Sequence, residues 1–387
     1  MRIVILGAGY GGLALARALA GWLRRQAEHS ILLIDQNADH QLLVRLHEVA
    51  SGSIPPEDAL VPYARVLESS GVEFQQARVT RLEPTARQVQ TSTGTVRFDL
   101  LVVALGGETE YFGLPGLREH AFPLRTHQHA VRLRRHVEHQ VVRAARETDP
   151  ARRQAHLTFV IGGGGYTGTE LAGELADRLR ELRALHQVSS PARILLLEAR
   201  EHLLSGFPPA AIQRATASLC ARGVEVCPEM PVAGAAPGQV LLATGEAIAA
   251  GTFVWAGGVR AHPLVAESGL PTGNGGRARL DRTLRWEGHE HLFVLGDCSE
   301  VTDPESGEPV LPSAQLAIQQ ATHTAHNLYR AVTGRPLLPF TRRPWAEAVS
   351  LGRNDAVALA GGLLVTGSSA HLLKGLSYRR YRLSLGA

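Results

Sequence analysis

The alternation of apolar and polar positions changes period several times along the chain. Short, mostly apolar runs, the pattern of strands covered on both faces, occur at 2–6, 31–35, 157–162 and 194–198, the second and fourth ending in an acid. Within each pair the intervening apolar residues recur at helical spacing, so each pair reads as strand, turn, helix, strand. The two turns repeat: from Gly7 the chain reads GAGYGGLALARALA and from Gly163 it reads GGGYTGTELAGELA, eight of fourteen positions being identical at an offset of 156 residues. The pattern predicts an α/β fold built on two βαβ units. Residues 133–154 read as a charged, helix-like surface connection, with a domain boundary near 112–120. A run at 252–258 closes the second unit, 292–297 reads as a strand ending in a loop, and 312–330 as a helix. Two β-like runs, 347–351 and 355–360, and an amphipathic helix from about Ser369 complete the chain. The expected division is 1–115 and 263–330 for the first domain, 116–262 for the second, and 331–387 for a small C-terminal α+β region.

Chemistry enters at the glycine turns. In a G-x-G-x-x-G turn the first glycine permits the tight bend, the second lets a pyrophosphate approach the helix N-terminus, and the third packs helix on strand. Gly7, Gly9 and Gly12, with Tyr10 and Gly11 between them, fill these positions in the first copy, and Gly163, Gly165 and Gly168, with Tyr166, in the second. Each unit ends its second strand in an acid suited to ribose hydroxyls, Asp35 and Glu198. A single such turn also occurs in ordinary α/β domains; two in register define two Rossmann-type dinucleotide sites. An acid at 198 favours NAD over NADP, and Arg200 pulls slightly the other way.

Composition narrows the class. The chain has 387 residues, 44% of them apolar, enough for more than one core. Forty basic residues against 36 acidic ones are spread along it without a basic block, so the charge of +4 does not point to nucleic acid. Only one basic residue is a lysine, Lys374. The glycines within 3–16 argue against a signal peptide, and those within 356–373 against a spanning helix. Cys220, Cys227 and Cys298 are odd in number and form no C-x-x-C, which argues against a zinc site or disulfide framework and fits a reducing cytosolic setting. Cys220 and Cys227 read as buried small hydrophobes on a helix and the following strand.

Two dinucleotide turns plus LFVLGD at 292–297 resemble the two-dinucleotide flavoprotein superfamily. The resemblance implies an FAD site and an NAD site, with Asp297 on the flavin ribitol. The run 98–107, including Gly106, is similar to the superfamily's connection between domains, departing at Leu105 where threonine is common. The run 252–258, with Gly257, is similar to the return. Disulfide reductases of this group need a redox cysteine beside the flavin, and residues 36–60 contain none.

LPSAQLAIQQ at 311–320 is similar to the A-Q-x-A-x-Q-Q signature of type II NADH:quinone oxidoreductases, as are 110–116 with 121–124, and 163–175. This resemblance implies non-covalent FAD, NADH as co-substrate, and a membrane quinone reduced by two electrons without proton pumping. It also implies a peripheral position on the cytoplasmic face of the membrane. Ala314 and Gln315 fall at the flavin, and Gln319 lies one turn beyond on the same helix face. Glu170 stands where the first copy has Ala14, two residues after the last glycine. Read as first-turn, it is either a plain N-terminal acid or, as the resemblance implies, an acid between nicotinamide and flavin. The resemblance places Lys374 near the quinone, an ammonium doing what a guanidinium cannot; chance retention of one lysine fits equally. Leu372, Leu373, Leu376, Leu383 and Leu385 with Arg379, Arg380 and Arg382 suit an anionic membrane surface, or else cover the protein's own core. A homodimer stays open. The alternatives are a diaphorase feeding a soluble carrier and an NADH-responsive flavoprotein acting through a protein partner.

Overall fold

The computed structural model describes residues 1–23, 28–303, 307, 310, 312–341 and 346–386; Leu311 and Ala387 lie outside the described residues. Two five-stranded parallel sheets carry the fold. In the first the order is Leu292–Val294, Leu100–Val103, Arg2–Leu6, Ser30–Asp35, Glu73–Gln76. In the second it is Phe122–Pro123, Thr252–Trp255, Thr158–Gly162, Arg193–Leu197, Val224–Cys227. The strand leading into each glycine turn is central, and the strand leading to the acid lies beside it. Ile3 to Leu6 and Phe159 to Ile161 are wholly buried, as unbroken apolar runs require in a sheet covered on both faces.

The duplication reaches beyond the fourteen matching residues. Each half carries a three-stranded antiparallel meander, Val79–Glu83, Gln88–Thr91 and Gly94–Arg97 in one and Val232–Ala236, Gln239–Leu242 and Ala247–Ala249 in the other. The two connections between the halves pair antiparallel, Gly107–Thr109 with Val259–Ala261. Both glycine turns therefore open at the C-terminal ends of their strands, where doubly wound sheets bind ligands.

Two expectations need correction. Residues 133–154 form two helices, His127–Arg146 and Pro150–His156, and the first is no mere surface connection. It buries Leu133, Val137 and Val141 and packs on the short helix Leu46–Ser51. The C-terminal region has three antiparallel strands, Ala346–Ser350, Ala356–Ala360 and Leu363–Thr366, one more than the sequence pattern suggested. The helix after them spans Gly367–Ser384. This sheet sits on the helix Tyr166–Leu185 because position 173 is glycine: a Cβ there would strike the backbone of Leu351. That close approach brings Ser350 onto the helix that carries Glu170.

Candidate functional site

The two glycine cradles have the same geometry. Gly7 and Gly163 adopt φ of +92° and +109°, and a Cβ on Gly12 or Gly168 would land on the carbonyl oxygen of Gly7 or Gly163. At Gly9 and Gly165 nothing lies within 4 Å of where a Cβ would stand, so each cradle has an open floor at the helix N-terminus. The acids close the cradles in parallel ways. The Ala8 N–H donates to Asp35 Oδ2 at 2.7 Å, and the Gly164 N–H to Glu198 Oε2 at 2.7 Å. The second carboxylate oxygens accept from the Asn37 N–H and the Arg200 N–H, both at 2.8 Å. Burial pushes the Asp35 carboxyl above the ordinary range, against the pull of its hydrogen bonds. Open floor, helix N-terminus and acid together fit a dinucleotide at each cradle.

The neighbouring side chains divide into those facing the cradles and those used for packing. The Tyr10 ring is buried, 5.0 Å from the rings of His40 and Tyr381, so its side chain serves the C-terminal helix. Tyr166 is more open and meets the Phe207 ring edge-on at 5.5 Å. The helix Ala314–Val332, capped by Ser313 Oγ accepting from the Leu316 N–H at 3.1 Å, lies along the helix Tyr10–Leu23. Gln315 and Gln319 stand on it, half-buried and one turn apart. Gln320, not singled out by sequence reasoning, is wholly buried. Its Oε1 accepts from the Gly296 N–H at 2.7 Å and its Nε2 donates to Ser299 Oγ at 3.1 Å, which fixes the loop carrying Asp297. Asp297 Oδ2 accepts from Arg125 Nη2 at 2.7 Å, a partner the sequence did not suggest. Gly106 has a φ of +73°, and its carbonyl accepts from the Cys298 thiol and the His262 N–H. Gly257 approaches Gly163 from the return connection.

Cys298 is fully buried, and burial pushes its thiol up to about 12, which leaves it protonated and unreactive at neutral pH. The reading of Cys220 and Cys227 as buried small hydrophobes needs correction: Cys220 is exposed and Cys227 half-buried, and all three cysteines are free.

Glu170 also departs from expectation. The helix starts at Tyr166 after Gly165 as N-cap, so Glu170 is its fifth residue and lies beyond the first turn. Its carboxylate is met by groups from three segments of the chain. Lys374 Nζ, from the C-terminal helix, pairs with Glu170 Oε1, which also accepts from the Ser350 N–H at 3.2 Å. Lys374 Nζ donates in addition to Ser350 Oγ at 2.9 Å. On the other carboxylate oxygen, His47 Nδ1 stands 3.3 Å from Oε2. Burial, then the Lys374 charge, pushes His47 down to about 3, so the imidazole beside the carboxylate is neutral. His47, Glu170 and Lys374 are 3%, 8% and 6% exposed, so the helices Leu46–Ser51, Tyr166–Leu185 and Gly367–Ser384 meet at a buried Glu170–Lys374 ion pair with His47 beside it. His47 and Ser350 carry no local sequence signal; only the tertiary fold brings them here.

Residues 1–321 match the pyridine nucleotide-disulphide oxidoreductase family, the class that the paired cradles define. The chain is 35% identical to the type II NADH:quinone oxidoreductase of Staphylococcus epidermidis over 379 residues, 96% of this chain and 93% of that protein. It is 34% identical to the one of Staphylococcus aureus over the same shares of both chains. At that identity and coverage, the chain belongs to the type II NADH:quinone oxidoreductase family. The fold superposes on NDH2 from Plasmodium falciparum in complex with NADH, with a TM-score of 0.86, 15% identity, and coverage of 98% of this chain and 94% of that one. It also superposes on the sulfide:quinone oxidoreductase of Aquifex aeolicus, with a TM-score of 0.80 at 18% identity over 99% and 91% of the chains.

Proposed function

We propose that this protein passes a hydride from NADH to non-covalent FAD and then two electrons to a quinone, without proton pumping. The observation that carries the reading is the pair of matching cradles, set in a chain whose relatives are named for this reaction. Residues 1–115 and 263–330 form the FAD domain in this proposal, 116–262 the NAD domain, and 331–387 the quinone-side region. The cradle of Gly7, Gly9, Gly11, Gly12 and Asp35, with Gly106, Gly296, Asp297, Ala314 and Gln315, takes FAD. Gly163, Gly165, Gly168, Glu198 and Gly257, with Tyr166, take NADH. A bound flavin supplies the hydride acceptor and the two-electron donor in one ring system.

The chain's own residues position the reactants and manage protons. Glu170 and Gln319 orient the carboxamide and the flavin edge, since hydride transfer itself needs only alignment. Quinone reduction consumes two protons, and Lys374 Nζ on Glu170 Oε1 is a buried site able to hold one of them. The test is a stopped-flow record of purified protein: NADH should bleach the flavin, and menaquinone or ubiquinone analogues should restore it. Reoxidation by ferredoxin-type carriers alone would make the protein a reductase of a soluble carrier. Prompt bleaching with no turnover on any acceptor would make it an NADH-responsive flavoprotein.

The proposal places the protein peripherally on the cytoplasmic membrane face, and a homodimer stays within it, assigned to no surface. No described helix is long and apolar enough to cross a membrane. Of the five C-terminal leucines, Leu385 is buried in the core, while Leu372, Leu373, Leu376 and Leu383 are exposed. Leu363 and Leu364, from the preceding strand, are exposed too, and Arg379 and Arg380 stand on the same helix. Each leucine moved out of water contributes roughly 2 kcal/mol, and each arginine near an anionic surface about 1 kcal/mol. Vesicles containing anionic lipid should therefore sediment the protein at low salt and release it at high salt. Leu372→Ser, Leu373→Ser and Leu376→Ser combined should lower that binding roughly a hundredfold or more with the fold intact. Failure of the unaltered protein to sediment at low salt would remove the membrane from the proposal.

A further inference from the structure

Arg125 is the side chain at the candidate flavin site for which the reading above has no role. It follows the short strand Phe122–Pro123 and precedes Thr126, whose hydroxyl caps the helix His127–Arg146. It thus enters with the second domain yet reaches back into the first. Its Nη2 donates to Asp297 Oδ2 at 2.7 Å and to the Gly107 carbonyl at 3.2 Å, while its Nε is buried without a hydrogen-bond partner among the described residues. The main chain around it is held as well. The Arg125 N–H donates to His129 Nδ1 at 3.3 Å, and two residues on the His127 N–H donates to Gln41 Oε1 at 2.8 Å. The guanidinium is fixed where the two halves join, three-quarters buried, on the carboxylate assigned to the flavin ribitol.

We propose that Arg125 is a positioning residue for the flavin: it holds the Asp297 carboxylate by one oxygen, leaves the other for the cofactor, and cancels its negative charge. This rests on the reading of Asp297 as part of an FAD site. Three consequences follow from elementary electrostatics. An uncompensated carboxylate on the ribitol of a flavin that must accept electrons opposes their arrival, and the opposition is stronger where water is excluded. A guanidinium stays charged throughout the accessible pH range, so its compensation is constant. The unpartnered Nε–H is a donor for which FAD, rich in oxygen and nitrogen acceptors, supplies candidates.

The experiment uses the purified holoprotein, with dye-equilibrated flavin midpoint potentials and FAD dissociation measured for Arg125→Met, Arg125→Lys, Asp297→Asn and the Arg125→Met/Asp297→Asn double variant. Arg125→Met should move the potential in the negative direction and weaken FAD binding roughly tenfold, the loss of a charge-assisted hydrogen bond. Asp297→Asn should move the potential in the positive direction, because the guanidinium is then uncompensated. The double variant should return the potential near that of the unaltered protein without restoring FAD affinity, and Arg125→Lys should keep the potential while losing part of the affinity. A purely structural role would change thermal stability alone. Potentials that do not move, or that move the same way in the two single variants, would overturn the proposal. If the unaltered protein held no FAD, or its FAD were not reduced by NADH, the underlying reading would fail instead.

Discussion

Glu170→Gln is expected to lower the unfolding free energy by about 3 kcal/mol and to slow reduction of the flavin by NADH roughly tenfold or more, with FAD retained. The stability effect comes from Lys374. With the carboxylate gone, a 6%-exposed ammonium keeps only Ser350 Oγ and an amide, and breaking a buried pair from one side costs roughly 3–5 kcal/mol. The kinetic effect comes from orientation, because a lost hydrogen bond to a reactant is worth about 1–2 kcal/mol at the barrier. The two effects separate in the double variant Glu170→Gln/Lys374→Met. Removing both charges should recover most of the stability, measured by denaturant titration, and none of the reduction rate, measured by stopped flow. Unchanged reduction kinetics in the single variant would remove Glu170 from the chemistry and leave it a structural clamp. Lys374→Arg tests the other partner: the ammonium sits between Glu170, Ser350 and the Tyr378 ring, whose centroid is 5.6 Å from Nζ, and a planar guanidinium does not reproduce that contact set.

How legible these features were depends on how local their causes are. The parallel sheets follow from runs such as 2–6 and 157–162, because a strand covered on both faces shows its burial in its own residues. The cradles were legible for the same reason: Gly7 and Gly12 act within six residues of each other. Cys220 was misread although its helix carries the answer. Ala211, Ala215, Ser218 and Leu219 form the buried face of Pro209–Ala221, and Cys220 lies off it. The helix start was misplaced by counting from the last glycine, Gly168, whereas the helix begins within the glycine turn at Tyr166; that put Glu170 one turn too early. The Glu170–Lys374 pair was a different matter. Both residues were candidates from the resemblance, but their union spans 204 residues and depends on Gly173 admitting Leu351. His47, Ser350 and Arg125 became visible only when three chain segments met. The leucines of the C-terminal helix had two readings by sequence, and the structure divides them, Leu385 inward and four others outward.

Gly168→Ala should abolish reduction by NADH while leaving FAD bound, whereas Gly12→Ala should yield protein that loses FAD. In both, a Cβ would fall on a backbone carbonyl oxygen, that of Gly163 or Gly7, and backbone cannot swing aside as a long side chain can. The turn must therefore shift by more than a van der Waals radius allows, and the helix N-terminus moves away from the open floor at Gly165 or Gly9. Misplacing the N–H groups that bind a pyrophosphate removes several charge-assisted hydrogen bonds together, so affinity should fall by roughly a hundredfold or more at the altered cradle. The other cradle lies on its own sheet and should be spared. The readouts are the flavin absorbance of the purified variants and the bleaching of that flavin by NADH against bleaching by dithionite. Gly168→Ala should keep its yellow colour, respond to dithionite and fail with NADH at concentrations that saturate the unaltered protein. The two cradles are near-copies in geometry, so this asymmetry is the direct check on which one holds which dinucleotide. Loss of FAD from Gly168→Ala with retention in Gly12→Ala would reverse the assignment, and with it the direction of hydride transfer across the molecule.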